Sequence, residues 1–295
     1  MLQKLDADQF RALWPTRASH WRGALTTEQY VERNRRIYAQ GYGSRIHTWG
    51  WVENGKICSS FDTIETSVFV HEQGAAVARP GRHIASFFTP KEFQKQGWGA
   101  KLLEAVLARE NLPYTLSSGI GTRFYERFGF SAQSVWVQEV KASASATKPP
   151  AREISRETLL ETLHRARSAQ VAGTPGALAM VPDGFWCEWQ GSILQFYGEV
   201  CGKSVARGKF FELTTDSGPL YIAAMEHWPE KKLLVWWASR RDETLVNFAS
   251  RLAWECGLAK ATWLSESPQP QYSPRQDHPM ARGGQLVDAQ LWDIW

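Results

Sequence analysis

The stretch FQKQGWGAKLLEAVL, Phe93 to Leu107, decides how the chain is read. Gly97 and Gly99 stand one residue apart at the mouth of a segment in which Trp98, Leu102, Leu103, Val106 and Leu107 recur at helical spacing. A chain removes side chains at a helix start either to make a flexible turn or to bring its main chain close to an anion. The first N–H groups of a helix have no partner inside it, and the helix dipole favours negative charge there. Glycine lets that backbone meet a phosphate without a Cβ in the way. Two phosphate motifs are excluded by spacing. A P-loop needs GxxxxGK followed by Ser or Thr, which is absent, and the dinucleotide pattern GxGxxG fails because Leu102 stands where its third glycine belongs. The loop Gln94, Lys95, Gln96, Gly97, Trp98, Gly99, Ala100 lies between a strand ending at Pro90 and an amphipathic helix. It is read as a cradle for a pyrophosphate.

Working outward, TTEQYVERNRRIYAQG reads as a helix with Tyr30, Ile37 and Tyr38 on one side and Gly41 as its stop. HTWGWVENGKICSSFDTIETSVFVHEQG reads as a hairpin turning at Asn54-Gly55, and RHIASFFTP as a further strand opened by a surface histidine, His83. LPYTLSS is a short strand, GTRFYERFGF a helical turn or two, and SVWVQEV a last strand. These elements predict an α/β (α+β) unit over residues 1–140, a mixed and mostly antiparallel sheet flanked by helices. KASASATKPPARE, small, polar and proline-bearing, predicts a linker over 141–153.

Beyond it, 154–295 reads as a second α+β unit. SRETLLETLHRARSAQ and RDETLVNFASRLAWECG are expected helices. GFWCEWQG, SILQFYGEV, KFFELTTDSGPLYIAAMEHW and KKLLVWWAS are expected antiparallel strands, with Trp186 and Trp189 on different faces. SPQPQYSPRQDHPMARGG reads as a polar loop, and the apolar LVDAQLWDIW as a segment that docks back as a strand.

Hydrophobic residues make up 43% of the 295 and charged residues 22%, as in a globular protein, and 34 basic against 30 acidic residues leave a net charge of +4. The basic clusters, Arg35-Arg36 and Arg240-Arg241, are too short for a nucleic-acid groove, although a mild positive field suits an anionic small ligand. Cys58, Cys187, Cys201 and Cys256 form no CxxC pair and have no histidines at metal-ligand spacing, which predicts reduced thiols and no metal. The opening MLQKLDADQFRALWP lacks the apolar core of a signal peptide, and no run approaches the ~20 apolar residues that span a bilayer, so a cytoplasmic, membrane-free protein is expected.

Gln94–Ala100 matches the Q/R-x-x-G-x-G/A signature of the GCN5-related N-acetyltransferase (GNAT) superfamily, and FYERFGF, Phe124 to Phe130, resembles that superfamily's Phe-Tyr-x-x-x-Gly-Phe segment. The resemblance implies acyl-CoA, acetyl-CoA above all, as co-substrate. Its pyrophosphate would lie on the amides from Lys95 to Ala100, and its carbonyl and pantetheine on the strand at Phe87, Phe88 and Thr89. It also implies Tyr125 as the general acid for the departing thiolate. LTTEQYVERNRRI, TWGWVENGKICSSFDT and TLSSGIGTRFYERFGF are similar to parts of fungal-type lysine N6-acetyltransferases, with Gly119 and Asp62 in place of that family's aspartate and glutamate. That likeness implies a lysine-like amine acceptor, free or in a peptide, and a degenerate GNAT-like second domain whose strand-to-helix junction carries Arg240, Arg241 and Asp242 instead of glycines. A protonated amine needs a base, for which Asp62 and Glu65 are the candidates, with strand alternation sending them to opposite faces. A noncatalytic acyl-CoA-binding interaction protein is the other reading of the same loop.

Overall fold

The computed structural model describes residues 1–40, 42–181, 183–203, 208–265, 273–274 and 278–287. β1 (Leu2–Lys4) leads into α1 (Ala7–Trp21) and α2 (Thr27–Ala39). Both helices open on capping boxes, Asp6 with Gln9 and Thr26 with Gln29, each satisfying two free donors. β2 (Ile46–Glu53) and β3 (Lys56–Glu72) turn at Asn54 and Gly55, whose φ values of 49° and 73° are those a tight hairpin turn demands. β4 (Ala75–Phe88), α3 (Trp98–Leu107), β5 (Tyr114–Ser118), α4 (Arg123–Glu126) and β6 (Ser131–Ala132) follow. Then come β7 (Trp136–Lys141), β8 (Ala151–Glu153), α5 (Arg156–Ala172), β9 (Ala177–Val181) and α6 (Gly184–Val200). β10 (Lys209–Leu213), β11 (Leu220–His227), β12 (Lys232–Ala238), α7 (Glu243–Glu255), β13 (Lys260–Ser265), β14 (Ser273–Pro274), β15 (His278–Arg282) and β16 (Gln285–Leu286) complete the order.

Two mixed, mostly antiparallel sheets result, flanked by helices as the sequence predicts. The first runs β1-β2-β3-β4-β5-β15-β6, with β9 on the far half of β3 and β16 on β9; the second runs β14-β7-β13-β12-β11-β10-β8. The same order occurs in each: three antiparallel strands, a helix, then a strand parallel to the third (β4-α3-β5 and β12-α7-β13). In each sheet the strand beyond the parallel pair comes from the other side of the compositional seam. β15 lies against β5, and β7 lies against β13. β7 therefore does not close the first sheet, as its position before the seam suggests; it is a strand of the second.

Three further expectations are corrected. Gly184–Val200, expected as two strands, is one helix capped by Asp183, whose carboxylate accepts from the Trp186 N–H. Its large aromatics suit a strand, but Trp186, Trp189, Gln190, Ile193, Leu194 and Tyr197 are buried at spacings of three and four. Trp186 and Trp189 thus share a buried face instead of dividing between two. His278–Arg282, expected in a polar loop, is β15, held between β5 and β6 despite Pro279. His83 is buried at 3% exposure, with Nδ1 2.9 Å from the Thr115 hydroxyl and its ring edge-on to Trp186. Of the apolar tail, Leu286 pairs with β9, while 288–295 lie outside the described residues.

α1 is fixed to the sheet by a buried ion pair. Arg17 Nη1 donates to Asp62 Oδ2 at 2.8 Å and Nη2 to Ser60 Oγ at 3.1 Å; the Thr48 hydroxyl donates to Asp62 Oδ1 at 2.8 Å. Removing one member leaves the other's charge buried, so Asp62→Ala is expected to cost about 3–5 kcal/mol in urea denaturation. The double replacement Arg17→Met with Asp62→Leu should cost much less. A second stability test concerns pH. Burial of this last residue of β11 against Tyr197 of α6 pushes His227 down from the ordinary 6.5 to about 4. The unfolded chain binds this proton first, so the contribution is complete above about pH 6.5 and is lost as pH falls toward 4. His227→Gln should flatten that part of a stability–pH curve, measured against the unaltered chain.

Candidate functional site

β4 and β5 pair in parallel only at Arg82–Tyr114, His83–Thr115 and Ile84–Leu116. Beyond Ile84 they part, and β5 keeps its other partner, β15, to Ser118. At the parting Ser86 takes a positive φ of 54° and the β3–β4 register slips between Ser60 and Asp62. A bulge of this kind re-aims side chains. Phe87 goes to the α3 side, stacked on Phe61 at 5.1 Å and edge-on to Phe124 and Tyr125. Phe88 goes to the α1 side, where its ring meets His20 at 5.1 Å and Trp21 at 5.8 Å.

The loop after β4 turns into α3 at Gly97, whose φ of 81° is left-handed, and no side chain caps the helix. The first N–H groups of α3 are thereby left for an outside acceptor. Nothing lies within 4 Å of where a Gly97 Cβ would be. Gly99 also meets a packing demand: a Cβ there would stand 3.1 Å from Phe87 Cε1, so its bareness lets α3 lie on β4. The glutamines brace the loop. Gln94 Nε2 donates to the Thr89 carbonyl at 3.0 Å, and Gln96 donates to the Glu92 carbonyl while accepting from the Trp98 indole. Trp98 stacks on Trp51 and carries Lys101 Nζ 4.4 Å above its ring. Lys95 is exposed, at a φ of 61°, and Ala100 lies in the first turn of α3.

α7 occupies the equivalent place in the second sheet, but Asp242 accepts from the Leu245 N–H at 3.1 Å and is itself held by Arg240 Nε at 2.7 Å. Arg240 also donates to the Gly218 carbonyl and the Thr215 hydroxyl. An internal carboxylate therefore sits where α3 leaves room.

Tyr125 is buried in α4 among Phe87, Phe124 and Phe130, and burial pushes its phenol well above the ordinary 10. The two carboxylates lie on opposite faces, as alternation requires. Asp62 is spent on Arg17 and Thr48 and is not a free base. Glu65 stands opposite Arg82, at the closed end of the β4–β5 pair, and accepts a hydrogen bond from His47 at 2.9 Å that holds its carboxyl below the usual range. Neither reaches the parted stretch unengaged. His20, which sequence reading does not single out, is exposed at the last turn of α1 with Nδ1 2.7 Å from the Ser19 hydroxyl. Only the capping box announces the helix that brings it there. Among the described residues no group of three or more His, Cys, Asp or Glu is placed to hold a metal, and no helix is long and apolar enough to cross a membrane.

Residues 61–142, from β3 through β7, match the family model described as acetyltransferase (GNAT) domain. This stretch of the chain is a GNAT domain by that match. Its fold is similar to that of a GCN5-related N-acetyltransferase from Anabaena variabilis, at a TM-score of 0.61 and 15% identity over 96% of this chain and 72% of that one. One from Kribbella flavida gives 0.60 and 15% over 96% and 71%. Saccharomyces cerevisiae N-myristoyltransferase with bound myristoyl-CoA gives 0.51 and 10% over 95% and 79%. At these identities the likeness is one of fold. No curated protein matches the sequence. The GNAT domain's loop is open to a simple test. Gly97→Ala forces a side chain into left-handed backbone and is expected to cost about 1–2 kcal/mol by chemical denaturation.

Proposed function

We propose that the protein is an acyl-CoA-dependent N-acyltransferase that moves an acyl group, acetyl in the simplest case, to a primary amine of lysine type, free or in a peptide. The observation that carries this reading is the uncapped start of α3 at Gly97, set beside the stretch where β4 leaves β5. The residues fit the co-substrate. The N–H groups from Lys95 to Ala100 would hold its pyrophosphate, and the main chain of Phe87, Phe88 and Thr89 its pantetheine and carbonyl. When bound, acyl-CoA supplies the activated thioester.

The rest falls to this chain's own groups. A lysine-type amine, of pKa about 10.4, arrives protonated and must lose a proton before attack. With Asp62 held in its ion pair, His20 is the group beside Phe88 that can take that proton, directly or through a water. Trp21 and Phe88 give the amine an apolar wall on the α1 side. Tyr125, on the other side, keeps its proton throughout the physiological range because burial raises it. It serves the departing thiolate first as a hydrogen-bond donor and last as an acid. The second half, its anion position already filled by Asp242, acts as scaffold in this reading and as a source of β15 for β5.

Tyr125→Phe should lower kcat by about 10²–10⁴ while desulfo-CoA affinity by calorimetry changes less than twofold. Mass spectra of products from a panel of amines and acyl-CoAs, acetyl to myristoyl, would identify both substrates. Desulfo-CoA binding without turnover of any amine would favour the noncatalytic acyl-CoA-binding reading; no heat at all would end both.

A further inference from the structure

The last turn of α1 contains a hydrogen-bond chain that decides where one proton sits. Ser19 Oγ donates to the Thr16 carbonyl at 2.9 Å, and the same oxygen lies 2.7 Å from His20 Nδ1. A hydroxyl has one proton to give and a carbonyl has none, so the serine's proton is engaged by Thr16. Were that proton turned to Nδ1 instead, the lone pairs of two oxygens would meet at 2.9 Å with no hydrogen between them. The one arrangement that satisfies both contacts is a neutral ring with its proton on Nδ1, donated to Ser19 Oγ. The tautomer is assigned by this counting of hydrogens.

The consequence falls on the other ring nitrogen. Which nitrogen of a histidine is bare is set by the hydrogen bond the other one makes. With Nδ1–H held by Ser19, Nε2 carries a lone pair, and among the described residues it has no hydrogen-bond partner. An imidazole left to itself favours the opposite tautomer, whose Nε2 already bears a proton and can accept none. The ring stands 5.1 Å from Phe88 and 5.8 Å from Trp21, exposed beside a phenylalanine that is buried. Thr16, Ser19 and His20 occupy little more than one turn, and Arg17, in that same turn, fixes it to the sheet through Asp62. The chain of bonds is thus carried on an anchored element.

We infer, resting on the acyltransferase reading above, that Ser19 is a positioning residue: it holds His20 as the Nδ1–H tautomer so that Nε2 is the atom that takes the proton of the acceptor amine. In that step an ammonium N–H bond breaks and an Nε2–H bond forms, directly or across one water. The amine keeps the electron pair with which it attacks, and the imidazolium still donates from Nδ1 to Ser19. The tautomer is read without turnover, from long-range proton–nitrogen spectra of nitrogen-15 histidine-labelled protein. They are recorded at about pH 9, above the ordinary histidine value of about 6.5, with His20→Gln to assign the signal. His20 should show a protonated Nδ1 and a bare Nε2. Ser19→Ala, at an exposed position, should shift the tautomer ratio about fivefold toward Nε2–H, the equivalent of one net hydrogen bond. It should lower kcat severalfold while the amine KM changes less than twofold. Ser19→Thr keeps a hydroxyl and should restore both the spectrum and kcat. A proton on Nε2 in the unaltered chain, a tautomer indifferent to Ser19→Ala, or a changed tautomer with unchanged kcat would overturn the inference. Because the spectra need no substrate, a chain that turns over no amine ends the acyltransferase reading by a result separate from the position of the proton.

Discussion

The contact between Arg17 and Asp62 governs the placement of everything on the α1 side of the first sheet. A helix of fifteen residues could slide or roll on an apolar strand surface at little cost, because apolar contacts are not directional. A guanidinium with one bond to a carboxylate and another to Ser60 cannot. That bond sets the axial position of α1 and with it two consequences one turn away on either side. Trp14 is set against Phe10 and Tyr38, and His20 against Phe88. The desolvation of two charges makes the pair a poor source of net stability, and its value is in register.

The second constraint is the parting of β4 and β5. Parallel strands that separate leave main-chain groups unpaired on both inner edges, and a buried fold tolerates that only where something else arrives to pair with them. On β5 the other edge is supplied by β15 and the inner one faces the gap; on β4 the bulge at Ser86 turns Phe87 and Phe88 to opposite sides. Phe87 thus meets Tyr125 of α4 on one side, and Phe88 meets His20 of α1 on the other. The second sheet repeats the strand, helix and parallel strand without the opening for an anion, since Asp242 and Arg240 complete the helix start from within.

How much of this could be read from the residues follows the range of each interaction. The glycine loop, the Asn54-Gly55 turn and the helix ended by Gly257 are local, and the residues that cause them are adjacent in the chain. Gly99 was legible as a bare position but its packing against Phe87 was not, because that ring belongs to another element. Gly184–Val200 misleads because tryptophan and phenylalanine satisfy strand propensity and helical burial alike, and only the three-and-four spacing of the buried set separates them. Pro15 conceals α1, and the capping box before it is the better guide. Asp62 reads as an available carboxylate because the arginine that occupies it lies forty-five residues away. The exchange of β7 and β15 is farthest from view, as each pairs with strands more than a hundred residues distant.

That exchange bears on how the molecule comes into being. A ribosome delivers β5 long before β15, so the nascent first half emerges with one rim of its central gap still bare. β5 and β9 gain their last neighbours only once residues 278–286 have been synthesised and have paired with them. A chain without residues 278–286 would carry every residue of the candidate site and still lack the strands that pair with β5 and β9.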